Sequence, residues 1–177
     1  LMREGVAIVV SPLIALMADQ VSALKQIGVA AAYINSSLTP QEVFEVKQAL
    51  RENRIKLLYV APERLVMPQM VELLDTLPLA LFAIDEAHCV SMWGHDFRPE
   101  YGALSFLRER WPQVPRVALT ATADLNTREE ICEKLSSKAT VVSGDGMSQE
   151  ILLEEGIEDL DALVALTNRD EENILIS

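Results

Sequence analysis

Leu79-Ala80-Leu81-Phe82-Ala83-Ile84-Asp85-Glu86-Ala87-His88 is the stretch whose reading decides the fold. A short apolar run with no polar alternation reads as a strand buried on both faces, the kind that parallel sheets use. It runs straight into two carboxylates. Open α/β sheets keep their ligands just past the carboxyl ends of their strands, which is where Asp85 and Glu86 fall. In Mg²⁺-nucleotide chemistry the first carboxylate of such a pair holds the metal, usually through water, and the second orients or deprotonates the attacking water. The same two residues could instead simply open a helix and favour its dipole. The tetrapeptide Asp85–His88 alone does not choose.

Working outward, the chain alternates strand and helix. Val6–Val10, Ala30–Ile34, Lys56–Val60 and Arg116–Thr120 read as further strands. Pro12 stands where a first helical turn tolerates it, apolar residues from Leu13 to Leu24 follow at helical spacing, and Gly28 ends that helix. Thr39-Pro40-Gln41-Glu42 is a capping box opening a helix through Arg51. Residues 62–74 read as helical with a break at Pro68, residues 101–111 as one helix stopped by Pro112, and Asn126 with Glu129 as the cap of another. The last fifth repeats the theme, with strands at 140–143 and 162–166 and helices at 149–155 and 170–176. Repeated β-α units of this kind predict an α/β fold, a parallel sheet flanked by helices.

Composition limits the function classes. Half of the 177 residues are apolar, enough for one compact domain with an appendage. No stretch reaches the roughly 18–20 uninterrupted apolar residues of a membrane span, and no basic-apolar leader opens the chain. The residues before Val6 run directly into a strand, so the start of a domain is expected upstream. Cys89 and Cys132, without CxxC spacing, read as two free thiols of a cytoplasmic protein. The net charge of −12 is uneven: residues 1–138 carry 14 Lys/Arg against 17 Asp/Glu, and residues 139–177 one Arg against 10. Acidity argues against nucleic acid, but most of it lies in the tail, and such a break marks a boundary between segments of different origin.

Behind the carboxylates comes Cys89-Val90-Ser91-Met92-Trp93-Gly94-His95-Asp96-Phe97-Arg98-Pro99-Glu100-Tyr101. Aromatics, a His and an Arg in a loop with Gly and Pro suit stacking on unpaired bases and pairing with phosphate; an apolar plug under a lid is the other reading. With this loop in place, residues 1–138 resemble the first motor domain of the RecQ-family DNA helicases. Ser11–Met17 with Asp19-Gln20-Val21 resembles that family's motif Ia, Asn35-Ser36-Ser37-Leu38 a further match, Leu58–Leu65 motif Ib, Asp85–His88 motif II, Trp93–Tyr101 the aromatic-rich loop and Leu119–Ala123 motif III. Two departures stand out: Met92 replaces the family's usual Gln, and Ala18 a common Lys.

The resemblance implies a RecA-like core, ATP and Mg²⁺ as cofactors, and single-stranded or forked DNA as partner. Asp85, as the Mg²⁺ carboxylate, and Glu86 would serve metal and water, and His88 would link them to the loop. Thr120 and Thr122 would relay between the ATP and DNA sides. Ser11 and Arg64 would lie near the DNA backbone, and Trp93, His95, Phe97, Arg98 and Tyr101 would meet single-stranded DNA. Plainer roles remain open: Ser11 as a helix cap, the threonines as turn formers, Arg64 paired with Glu63 or Asp85.

No Gly-x-x-x-x-Gly-Lys-Ser/Thr loop occurs in these residues. In the resembled family it precedes the strand at Val6–Val10. The expectation is a fragment of a 3′→5′ helicase that by itself neither hydrolyses ATP measurably nor unwinds DNA. Residues 139–177 are similar to the later part of a TrkA-type NAD-binding domain, a regulator of potassium transport, whose dinucleotide Gly144, Asp145, Thr167 and Asn168 would border. The glycine turn and ribose carboxylate of that family precede this segment, so NAD is the less expected cofactor. The alternatives are an inactive chimeric or designed α/β domain, and a TrkA-type NAD-binding module.

Overall fold

A computed structural model describes residues 4–91, 97–120, 125–135, 140–143 and 162–166. The expected helices at 149–155 and 170–176 lie outside the described residues. The chain divides into two compact units, residues 1–82 and 83–177.

In the first unit the strands are β1 (Val6–Val10), β2 (Ala31–Ile34), β3 (Leu57–Val60) and most of β4 (Leu79–Ile84), in the order β2-β3-β1-β4. The β2-β3 and β3-β1 pairs are parallel, and Ile34, Val60 and Val10 end at the same level. The helices are α1 (Ile14–Gln26), α2 (Pro40–Arg51), α3 (Pro62–Leu65) and α4 (Pro68–Asp75). Ile8, Val10, Leu58 and Val60 are fully buried on one shared face of the sheet, while Ala7 and Val9 on the other face of β1 are half-buried. Met17 and Val21 of α1 pack with Ala31, Tyr59 and Ala61.

Local sequence sets the joints. Gly28 takes φ +86, so that its N–H reaches Lys25 O at 3.0 Å and the Val29 N–H reaches Leu24 O at 2.9 Å. This double closure in a left-handed residue is a Schellman ending. Gly5 takes φ +105, and a Cβ there would collide with the Pro78 carbonyl, which accepts the Val6 N–H at 2.9 Å. The capping box is formed: Thr39 Oγ1 accepts from Glu42 N–H, and Glu42 Oε2 accepts from Thr39 N–H at 2.8 Å. Pro12 precedes the helix instead of opening it, because α1 starts at Ile14.

The second unit carries β5 (Arg116–Thr120), β6 (Thr140–Ser143) and β7 (Ala162–Leu166), in the order β5-β7-β6 and all parallel. A tail strand therefore joins the sheet of the helicase-like segment, pairing Arg116–Thr120 with Ala162–Leu166 residue for residue. The expected single helix over residues 101–111 is instead three short pieces: α5 (Pro99–Gly102), a 3₁₀ turn (Ala103–Ser105) and α6 (Phe106–Arg110). Pro99 starts the first piece at its opening turn, earlier than the apolar spacing indicated. The helix α7 (Leu125–Leu135) begins before Asn126, which is therefore not its cap.

Arg116, only 3% exposed, donates to the carbonyls of Leu135, Trp111 and Val114, which fastens β5 to the end of α7. Cys89 and Cys132 are free thiols. Among the described residues no helix is long and apolar enough to cross a membrane.

Candidate nucleotide and DNA site

The last two residues of β4 deliver Asp85 to the start of the second unit. Ile84 is fully buried, and Asp85 and Glu86 are half-buried just beyond it. Asp85 Oδ1 accepts the Glu86 N–H at 2.9 Å. Glu86 then takes φ +50 and ψ +43, the left-handed region, before a 3₁₀ turn at Ala87–Val90. For a residue with a Cβ this conformation costs about 1–2 kcal/mol. Strain of this kind persists only where surrounding contacts over-determine it, and it concentrates at functional sites.

The left-handed turn aims the Glu86 carboxylate at His88. Glu86 Oε2 lies 3.2 Å from His88 Nδ1, and Thr120 Oγ1 lies 3.0 Å from the same nitrogen. A carboxylate only accepts, so the Glu86 contact is met by the tautomer with its proton on Nδ1, and the direction of the Thr120 contact follows the tautomer. Thr120 is buried at the carboxyl end of β5. One imidazole thus joins the two strand ends that bear the carboxylate pair and the threonine. Lys134 of α7 donates to Val90 O at 2.9 Å and stands 3.7 Å from Glu130, bracing the same turn.

Next to this cluster stands the described end of the aromatic loop. Phe97 and Arg98 are exposed, and the Arg98 N–H donates to Cys89 O at 3.1 Å. Tyr101 departs from expectation. It is fully buried, and its hydroxyl donates to the Asp85 carbonyl at 2.8 Å. A ring with no exposed surface offers no face to a base, so its place is structural. Burial pushes the Tyr101 hydroxyl well above the ordinary tyrosine range, keeping it a donor. Trp93, His95 and Thr122 lie outside the described residues, as do Gly144, Asp145, Thr167 and Asn168.

Ser11 and Arg64 belong to the first unit. Ser11 is 1% exposed, and its Oγ accepts the Leu13 N–H at 3.3 Å, a turn contact ahead of α1. Arg64 is half-exposed, with Nη1 3.9 Å from Met67 Sδ, and makes no ion pair with Glu63 among the described residues. Asn35 is buried after β2, with Oδ1 accepting from Ser37 N–H and Oγ–H at 2.9 and 2.6 Å.

Sequence reasoning missed three features: the left-handed Glu86, the buried Arg116 and the Lys134 brace. A Glu in a left-handed turn carries no glycine or asparagine to announce it. The two cations act through backbone carbonyls, which leave no mark in a sequence.

As for a metal, no group of three or more His, Cys, Asp or Glu side chains gathers among the described residues. Mg²⁺ that keeps its waters and takes phosphate oxygens needs only one or two carboxylates. Asp85, half-buried at a strand end, fits that lesser demand, and Glu86 beside it fits the handling of water.

Residues 1–131 match the DEAD/DEAH box helicase family, and residues 124–177 match the TrkA-N domain family. The ATP-dependent DNA helicase RecQ of Bacillus subtilis (strain 168) is 46% identical over 153 residues, 86% of this chain and 26% of that protein. RecQ of Pasteurella multocida (strain Pm70) is 47% identical over 133 residues, 75% of this chain and 21% of that protein. The chain thus spans about a quarter of the length of these relatives. The crystal structure of the Pyrococcus furiosus Hef helicase domain aligns with a TM-score of 0.53 at 13% identity, covering 95% of this chain and 42% of that one. At that identity the likeness speaks for the fold, a RecA-like α/β core.

Proposed function

Because this chain belongs to the DEAD/DEAH box helicase family, on its RecQ branch, we propose that it carries the metal-and-water end and the DNA-facing loop of an ATP-driven 3′→5′ DNA helicase motor. The observation that carries this reading is the convergence of Glu86 and Thr120 on His88 Nδ1, beside a loop end whose Phe97 and Arg98 are exposed. Asp85 would hold Mg²⁺ through water, and that ion would neutralise phosphate charge when ATP is bound. Glu86 would take a proton from, or orient, the attacking water. His88 would pass the state of that carboxylate to Thr120, and Phe97 and Arg98 would report single-stranded DNA. Like its bacterial relatives, the motor would then work in the cytoplasm, at the nucleoid.

Binding of labelled single-stranded and forked oligonucleotides, followed by anisotropy at low salt, tests the reading. Loss of one stacked base costs on the order of tenfold in affinity, so Phe97→Ala and Trp93→Ala should each weaken binding by about that much, and Arg98→Ala should weaken it too. Affinity that ignores all three changes overturns the DNA role. Without a Gly-Lys-Ser/Thr loop in these residues, the chain alone is expected to show no hydrolysis. A DNA-stimulated ATPase abolished by Glu86→Gln would overturn that expectation.

A second reading rests on the TrkA-N match to residues 124–177. The segment from residue 139 onward would then be a separate regulatory unit, with NAD bordered by Gly144, Asp145, Thr167 and Asn168. A thermal shift with NADH and none with Mg²⁺-ATP would favour it. A shift with neither would favour an inactive α/β domain.

A further inference from the structure

We propose that Tyr101 is a positioning residue for the carboxylate pair: its buried hydroxyl clamps the Asp85 carbonyl and so holds Glu86 in the left-handed conformation that brings its carboxylate to His88. The proposal rests on the reading of Asp85 and Glu86 as nucleotide-site carboxylates.

The φ angle of residue 86 is the rotation of the 85–86 peptide plane about the Glu86 N–Cα bond. That plane carries two polar groups. Its N–H donates to Asp85 Oδ1 at 2.9 Å, and its carbonyl oxygen accepts the Tyr101 hydroxyl at 2.8 Å. The ψ angle is set by the following plane, whose Glu86 carbonyl accepts the Cys89 N–H at 2.9 Å. Both planes flanking the Glu86 Cα are therefore held, at φ +50 and ψ +43. Of these three bonds, the one from Tyr101 reaches in from 16 residues away. The other two lie within the turn itself.

Tyr101 is in turn fixed to the loop. Its N–H donates to Arg98 O at 2.9 Å, and the Arg98 N–H donates to Cys89 O at 3.1 Å. One short helical turn, α5, thus links the exposed Phe97–Arg98 pair to the Asp85 carbonyl on one side and to the 3₁₀ turn on the other. A ligand that shifts Phe97 and Arg98 shifts the Tyr101 clamp with them.

The test is backbone NMR of the full chain and of Tyr101→Phe, which removes one oxygen and keeps the ring. The wild-type Glu86 should show the ¹³C shifts and HN–Hα coupling of a left-handed residue. In Tyr101→Phe the Asp85 carbonyl and Glu86 resonances should move, and exchange of the Glu86 and Cys89 amides should quicken about fivefold or more, the worth of one lost hydrogen bond. The α7 and β5 resonances should stay in place, which a general loss of stability would not allow. Glu86 signals unmoved by Tyr101→Phe overturn the proposal.

Should that variant fail to fold, labelling the three tyrosines with 3-fluorotyrosine keeps the hydroxyl and makes it a stronger donor. The Asp85 carbonyl ¹³C shift must then change, and an unchanged shift overturns the clamp. Manganese(II)-ATP separates the positioning role of Tyr101 from the nucleotide role of Asp85 and Glu86. Broadening of Asp85 and Glu86 in the wild type that weakens in Tyr101→Phe supports both. No broadening in the wild type overturns the nucleotide reading, and with it any positioning role toward a nucleotide. Broadening that Tyr101→Phe leaves intact, with Glu86 unmoved, overturns the positioning role alone.

Discussion

Glu86 holds its backbone where glycine alone sits without strain, at φ +50. This gives a prediction that isolates backbone from side chain. Glu86→Ala and Glu86→Gly both delete the carboxylate that stands 3.2 Å from His88, so both lose the same side-chain contact. Alanine keeps the left-handed penalty and glycine does not. In a helix or strand glycine is the weaker residue, but here the order should invert, with Glu86→Gly more stable than Glu86→Ala by about 1 kcal/mol. Urea denaturation of the two variants measures it; equal stability, or Ala above Gly, would mean that residue 86 is not held left-handed. The chemical identity of this residue was legible in the sequence, because two carboxylates after a buried strand leave few readings. Its conformation was not, since nothing in Asp-Glu-Ala-His marks a left-handed turn. Tyr101 shows the same limit. An aromatic-rich run announces rings, but which ring turns inward depends on where Pro99 starts its short helix. Ser11, expected near the DNA backbone or as a helix cap, is buried.

At the scale of elements, legibility followed the strength of the local signal. Val6–Val10, Leu79–Ile84 and Arg116–Thr120 are strands with the bounds the sequence indicated, because a residue with a turn preference stands directly before each, Gly5, Pro78 and Pro115. The break at Pro68 and the ending at Gly28 also follow single residues with fixed backbone preferences. Residues 99–110 follow no such rule. Their apolar spacing fits a helix, but tertiary contacts divide it, with Tyr101, Leu104 and Leu107 all fully buried. The capping box of α2 yields a prediction with a pH sign. The Thr39 hydroxyl and N–H beside it hold the Glu42 carboxyl below its ordinary value of 4.5. A carboxyl depressed on folding contributes stability that is present above the unfolded value and is lost as pH falls through the folded one. Thr39→Ala should cost about 1 kcal/mol at neutral pH, and the difference from wild type should shrink as pH falls below the ordinary carboxylate range. Chemical denaturation at neutral and acidic pH checks this. A difference that stays constant through the acid range would remove Glu42 from the cap.

At the scale of the molecule, the question is what the acidic tail does to the helicase-like segment. The parallel pairing of β7 with β5 covers an edge of β5 over all five residues from Arg116 to Thr120, and the strand then left at the edge is the shorter β6, four residues ending in Ser143. An uncovered strand edge presents a row of free N–H and C=O groups and pairs with whatever strand is near, most readily a second copy. A chain ending at Lys138 should therefore self-associate with rising concentration where the whole chain does not, as sedimentation velocity would report. Deleting residues 139–177 also lowers the net charge from −12 to −3, and weaker repulsion by itself promotes association. Salt separates the two causes. At 1 M ionic strength the Debye length is about 3 Å, so repulsion between whole chains is screened away. If charge alone kept the molecule apart, the intact chain would associate at that salt just as the shortened one does. If β7 covers a sticky edge, the intact chain stays dispersed at high salt and the shortened one associates at any salt. Association of both chains at high salt would leave β7 no protective part, and the tail would then matter for its charge rather than for its strand.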